Sequence, residues 1–190
     1  MAELIRCFIA IELPEDLTNR IEQYIAELRH QAPDIKWVRK NALHITLKFL
    51  GELPSARVDQ IISALMPLHQ QSTVLDIRIT GLGAFPNEKR PRVIWLGIEP
   101  NPRDLFFELH HTLEGFLEAI GIEREKRKFS PHLTLARIKT PQDLSHLFAY
   151  LNGHPFQTCS FSVHDIVLMR SFLKPAGAEY RIIQKYPLHP

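Results

Sequence analysis

A histidine and a threonine two residues apart occur twice in strand-like surroundings, as His44-Ile45-Thr46-Leu47 and as His132-Leu133-Thr134-Leu135. Side chains alternate along a β-strand, so in each copy the imidazole and the hydroxyl share one face while the two aliphatic residues anchor the other. Two such strands side by side would turn two imidazoles and two hydroxyls into one cleft. That set suits paired acid and base catalysis, with one imidazolium to give a proton, one neutral imidazole to take one, and hydroxyl donors for a developing oxyanion.

One His-x-Thr carries little weight in a chain with ten histidines. A third occurrence, His110-His111-Thr112-Leu113, lies where Leu105, Phe106, Leu109, Leu113, Phe116, Leu117 and Ile120 recur at helical spacing. Residues two apart on a helix diverge, so this copy cannot form such a pair. The other two share their context. Both follow turn-forming or loop residues, Arg39-Lys40-Asn41 or Ser130-Pro131, and both run on as strand, through Lys48-Phe49-Leu50 or Ala136-Arg137-Ile138.

The elements that must position these residues follow from periodicity. Arg6–Leu13 reads as a first strand stopped by Pro14. A helix then opens on Pro14-Glu15-Asp16, with Leu17, Ile21, Tyr24, Ile25 and Leu28 as its apolar stripe. Ile35–Val38 is a short strand, and the first motif strand spans Leu43–Leu50, ended by Gly51. A second helix is predicted over Ser55–His69, capped by Ser55, with Val58, Ile61, Ile62, Leu65 and Met66 inward. Leu75–Gly81 and Arg92–Ile98 read as strands joined through Pro86-Asn87-Glu88, followed by the helix that holds the third His-x-Thr. The second motif strand is His132–Ile138. Thr140-Pro141-Gln142-Asp143 opens a fourth helix to Leu151 with Thr140 as cap, and Phe156–Val163, Ile166–Phe172 and Tyr180–Tyr186 close the chain as strands. A helix follows each motif strand after a few turn residues. This order suggests an internal duplication, hence two similar α+β lobes with a cleft between their sheets. No Gly-, Ser- or Pro-rich linker divides them, so residues 1–190 are expected to form one folding unit.

A chain of 190 residues, 45% hydrophobic, can bury one sizeable core. Its net charge of +2 admits an anionic ligand without indicating extensive nonspecific nucleic-acid binding. Two basic runs, Lys89-Arg90-Pro91-Arg92 and Arg124-Glu125-Lys126-Arg127-Lys128, read either as solvated loops or as a positive rim for a phosphate backbone, which would make RNA binding salt-sensitive. Cys7 and Cys159 sit in apolar runs, without the spacing of a disulfide framework or a zinc site. Met1-Ala2-Glu3 leads directly into a strand, with no signal-peptide pattern and no apolar run near membrane-spanning length, so a cytoplasmic protein without membrane attachment is expected.

These motifs resemble the 2H phosphoesterase superfamily, specifically the bacterial and archaeal RNA 2′,3′-cyclic phosphodiesterases first described as 2′-5′ RNA ligases. The resemblance runs through Arg6-Cys7-Phe8-Ile9-Ala10-Ile11, Trp37-Val38, Leu43–Gly51, Val93-Ile94-Trp95-Leu96-Gly97, Phe129–Arg137, Leu168-Met169-Arg170-Ser171 and Tyr180. It implies a bilobal α+β fold with a pseudo-twofold axis and hydrolysis of RNA 2′,3′-cyclic phosphate ends to 2′-phosphates. It also implies no metal or nucleotide cofactor, with His44 as proton donor, His132 as proton acceptor, and Thr46 and Thr134 as donors to the phosphate oxygens. RNA ends or small nucleotides bearing a cyclic phosphate are the expected partners of a monomer, since no sequence feature marks a dimer seam.

Further substrate-binding candidates are Phe8, Arg137, Ser171 and Tyr180. Phe8 alternates away from Cys7 and Ile9, so it either stacks on the terminal base or packs in a core. A regular strand puts Arg137 on the face opposite His132 and Thr134, and only a twist or bulge would bring it round. Ser171 and Tyr180 either line the cleft or occupy ordinary strand positions, and Trp37 and Trp95 read as core aromatics. Two other functions use the same residues: ligation by the reverse reaction, and a noncatalytic nucleotide- or RNA-binding module, whose mark would be the loss of a motif His or Thr. A metal site is a third alternative, but no His-Glu-x-x-His or third ligand at short spacing supports it.

Overall fold

The structure, a computed structural model, describes residues 3–140, 142–174 and 177–189, apart from the side chain of Gln71; Met1, Ala2 and Pro141 of the expectations above lie outside the described residues. Strand β1 is Leu4–Glu12, and helix α1 is Glu15–Gln31 with the expected stripe buried. A two-residue strand β2, Lys36–Trp37, and a 3-10 turn, Lys40–Ala42, lead into β3, His44–Pro54. Gly51 does not end this strand. It adopts φ 78°, a left-handed conformation that glycine takes without a Cβ clash, and the strand continues past it.

Pro54 occupies the N-cap position of the next helix and Ser55 is its first helical residue, so Ser55 does not cap it. The predicted Ser55–His69 helix is also two: α2, Ser55–Leu65, and α3, Leu68–Gln71, interrupted at Met66-Pro67, with Met66 turned out to 51% exposure. Proline lacks the N–H that a continuous helix would use there. Strands β4, Leu75–Phe85, and β5, Val93–Asn101, run longer than the pattern suggested, and α4 spans Arg103–Ala119. After β6, His132–Arg137, helix α5 begins only at Ser145 and ends at Gly153, so Thr140 is not its cap. β7 is Cys159–Val163, β8 Asp165–Lys174 and β9 Gly177–Pro187.

All these strands join one antiparallel sheet in the order β7-β4-β5-β6-β3-β1-β8-β9, with β2 also paired to β6. The unit β1-α1-β3-α2 in the first half corresponds to β5-α4-β6-α5 in the second. Each unit then sends its next strand across: β4 pairs with β5, and β8 pairs with β1. The lobes therefore exchange strands, and at the sheet centre the two motif strands meet through a single register pair, Ile45 opposite Leu133, beside the two pairs of β2 with β6.

The main core lies on the helix side of the sheet. There Ile9, Ile11, Ile45, Leu47, Ile94, Leu96, Leu133 and Leu135 pack with the buried stripes of the helices. The other face of the first lobe carries a small cluster of Phe8, Ala10, Val167 and Met169, closed by Tyr180.

Both motif strands carry a β-bulge immediately after the threonine. In β3, Thr46 pairs with Ala10 and Lys48 with Ile9, leaving Leu47 as the extra residue; in β6, Thr134 pairs with Trp95 and Ala136 with Ile94, leaving Leu135. A bulge shifts the alternation of side chains by one. His44 and Thr46 thus stay on the cleft face with Phe49, while Lys48 turns inward, and His132 and Thr134 share their face with Arg137, while Ala136 turns inward.

Candidate active site

The two histidines are held alike. Nδ1 of His44 lies 2.9 Å from the carbonyl oxygen of Ala42, and Nδ1 of His132 lies 2.8 Å from that of Ser130. A carbonyl only accepts, so Nδ1 carries the proton in each ring and Nε2 is left for chemistry, as acceptor when neutral and donor when protonated. Each ring also has aromatic support. His44 packs on Phe8 at 4.7 Å and edge-on to Tyr180 at 5.0 Å, whereas His132 stands edge-on to Phe85 at 4.9 Å with Trp95 beyond at 6.4 Å. Trp95 approaches Gly83 so closely that a Cβ there would overlap the indole.

Because β3 and β6 are antiparallel about the Ile45–Leu133 pair, that register directs His44 toward Thr134 and Thr46 toward His132. Burial holds His44 down at about 4, opposed by its bond to the Ala42 carbonyl and reinforced by the charges of Arg137 and His132. His132 is lowered too, chiefly by burial, against its Ser130 carbonyl and with Arg137 adding to the effect. Arg137 thus acts on both imidazoles, which answers the question of its face: the bulge at Leu135 brings it round.

A cavity of about 260 Å³ opens beside His44, and Thr46, Thr134, Arg137 and Tyr180 are on its wall. His132 is not; it stands against Phe85 and Trp95. The cavity wall also carries Lys36, Arg39 and Lys139, and no Asp or Glu, so it is built for an anion. None of those three cations was singled out from the sequence. For Lys36 the signal was the short strand ahead of the first motif: β2 pairs Lys36 with Arg137 and Trp37 with Ala136, which fixes Lys36 and Arg137 at the mouth. The two basic runs do not line this cavity. Arg92 donates to the Lys139 carbonyl at 2.7 Å, Arg124 pairs with Glu118 at 2.8 Å, and Lys128 borders a separate depression.

Two candidate positions do not line this cavity. Phe8 does face the cleft side, but it is 3% exposed beneath His44 and Tyr180, so it has no free face for a base and serves as the floor of His44. Ser171 is paired with Tyr180 in the sheet but borders a different depression, with Leu4, Arg6, Glu52 and Lys174. Tyr180 itself is on the cavity wall, its phenol pKa raised by burial so that it keeps its proton. Trp37 is buried, with its indole N–H donated to the Ala32 carbonyl at 2.9 Å, although one edge reaches the cavity. The third His-x-Thr lies on α4, as its periodicity required.

Among the described residues no group of three or more His, Cys, Asp or Glu could hold a metal ion, and no helix is long and apolar enough to cross a membrane.

Known proteins resemble this chain in sequence and in fold. The pattern of the LigT-like phosphoesterases matches the chain twice, over residues 11–95 and 96–180. The RNA 2′,3′-cyclic phosphodiesterase of Methanothermobacter thermautotrophicus is 32% identical over 187 residues, covering 97% of this chain and 99% of the relative. A crystal structure from Thermus thermophilus superposes with a TM-score of 0.77 at 29% identity, covering 96% of this chain and 97% of that one. Escherichia coli LigT, solved with 3′-AMP, has the same fold, with a TM-score of 0.75 at 23% identity over 98% of this chain and 99% of its own. The resemblance read from the two motifs therefore holds along the whole molecule, and the chain belongs to the LigT-like phosphoesterases, a 2H family whose repeated half is visible here as two lobes meeting at Ile45 and Leu133.

Proposed function

We propose that the protein hydrolyses the 2′,3′-cyclic phosphate ends of RNA to 2′-phosphates, with His44 as proton donor, His132 as proton acceptor, and Thr46 and Thr134 as donors to the nonbridging oxygens. The observation that carries this reading is the pair of imidazoles with matching tautomers, one from each motif strand, with His44 on the wall of a cavity that carries four cations and no carboxylate. The relative from Methanothermobacter, named for the same reaction, supports it.

In the reaction, Nε2 of His132 takes a proton from water as its oxygen attacks phosphorus. The bond to the 3′ oxygen breaks, and Nε2–H of His44 protonates that oxygen to a 3′-hydroxyl. Charge growing on the nonbridging oxygens is met by the threonine hydroxyls and by Arg137. Release of ring strain and the excess of water favour opening over ligation. One chain supplies both halves of the site, so we read it as a monomer and as a single folding unit over residues 1–190. The free thiols Cys7 and Cys159 fit a reducing cytoplasm.

One observation favours the opposite division of labour. His44 is neutral at pH 7 in the empty cleft, which suits a base, and only the negative charge of a bound phosphate would bring a proton onto it.

The deciding experiment follows an RNA ending in 2′,3′-cyclic phosphate with the wild type and with His44→Ala and His132→Ala. A 2′-phosphate lost in both variants supports the reaction and the pair, and a 3′-phosphate would mean that the other ring oxygen leaves. A substrate with sulfur in place of the 3′ bridging oxygen needs no acid, so it should rescue His44→Ala alone; rescue of His132→Ala instead would reverse the two roles.

A further inference from the structure

The two motif strands share only one register pair, yet paired catalysis requires their histidines at a fixed spacing. Behind the cleft, the bulge in β3 turns Lys48 into the core, where it is 6% exposed. Its Nζ lies 2.7 Å from Oε2 of Glu114 on α4 and donates at 2.7 Å to the carbonyl of Glu123, in the connection that leads toward β6. Glu114 is 3% exposed, and its other oxygen, Oε1, has no hydrogen-bond partner. One turn earlier on α4, His110 places Nε2 3.9 Å from that oxygen. The carbonyl of Leu47, the bulged residue itself, also bears on the His110 ring. His110 in turn stacks on Phe129, centroid to centroid 3.7 Å and nearly parallel, and Phe129 precedes Ser130, whose carbonyl fixes Nδ1 of His132.

A continuous path of contacts therefore runs from the strand of His44, through two side chains of α4, to the segment that orients His132. Packing alone does not ask for it: the matching place in β6 holds Ala136, a small buried residue. Buried ion pairs commonly add little stability over an apolar pair of similar volume, and their best-attested use is to fix register.

We propose that Lys48, Glu114 and His110 are positioning residues that brace the two motif strands from behind and set the separation of His44 from His132. The inference rests on the reading of function above only for its kinetic test. It also predicts that the brace acts on kcat and not on substrate affinity, since none of the three residues lines the cavity.

The test replaces the polar brace with apolar volume in the double variant Lys48→Met, Glu114→Leu, and measures kcat and KM on a 2′,3′-cyclic nucleotide, thermal unfolding, and the NMR titration of His44 and His132. The expected result is a folded protein of unchanged or higher melting temperature, kcat lower by about tenfold or more, KM within about twofold, and both imidazoles titrating closer to an ordinary histidine. Unchanged kcat and unchanged titrations in the folded variant would overturn the brace. If the double variant does not fold, the single variant His110→Leu decides by the same readouts: a several-fold loss in kcat at constant KM supports the brace, and wild-type behaviour ends it. A wild type inactive on the cyclic phosphate, with titrations that still move in the variant, would reject the proposed reaction while keeping the brace.

Discussion

In β3 the bulge after Thr46 turns Lys48 into the core and Phe49 out to 65% exposure; in β6 the matching bulge after Thr134 turns Ala136 in and Arg137 out. Ahead of the bulges the two strands are nearly identical, down to the Nδ1 contact with a carbonyl two residues back. Beyond the bulges they differ at each matched place. The reacting groups are thus repeated, while the groups that flank them are particular to each lobe: a cation beside one motif, an aromatic ring beside the other.

The strongest break in the comparison is to remove one reacting half. His44→Ala or His132→Ala should lower kcat by about a thousandfold each, with the double variant little worse than either single one, because the two act as a unit. Additive losses would mean that the histidines work independently. Next come the flanking groups. Arg137→Ala should lower kcat/KM by about a hundredfold, whereas Phe49→Ala, at the matched place, should leave a cyclic mononucleotide unaffected and raise KM for an RNA oligomer by about fivefold through one lost base contact. Equal effects of the two substitutions on a mononucleotide would show that both lips contact the terminal phosphate.

A pH series sharpens the contrast between the histidines. Both are lowered from 6.5 in the free cleft, His44 to about 4, so kcat/KM should describe a bell with both limbs on the acid side of 6.5, and kcat a bell moved upward by the bound anion. For stability the sign follows from a depressed histidine. Between pH 6.5 and about 4 the unfolded chain takes up a proton that folded His44 refuses, so stability falls as pH falls. The loss attributable to His44 is about 3 kcal/mol at pH 4. Denaturant titrations at pH 7.5 and pH 4 should show a loss of at least that size for the wild type, since His132 and His110 are lowered too, and a smaller one for His44→Gln. The smallest effect concerns the seam: Ile45→Val, at a fully buried position, should cost about 1 kcal/mol and be matched within error by Leu133→Val, whose surroundings are equally enclosed.

The paired motifs were legible because strand alternation is local, and so was the first helix, whose stripe at Leu17, Ile21, Tyr24, Ile25 and Leu28 is buried as its spacing required. Arg137 was not legible on its face, because a bulge at Leu135 leaves no composition signal, and the same shift hid Lys48, which plain alternation sets beside Thr46. Phe8 went unresolved for a different reason. The residues that close over it, Val167, Met169 and Tyr180, come from the far end of the chain, and no local pattern predicts that pairing. Pro67 did announce the break between α2 and α3, but the apolar spacing continued across it and outweighed the proline.

The crossing of β4 and β8 between lobes has a consequence for any shortened version of the molecule. A piece containing β1 to β4 would hold a strand with no neighbour and a sheet edge where β8 belongs, so it could complete itself only by trading strands with another such piece. Two identical pieces doing so would make a symmetric pair, obliged to place the same side chain at both lips of the cleft. Covalent continuity removes that obligation, and it is what allows a guanidinium to stand at one lip of this single cleft and a benzyl group at the other.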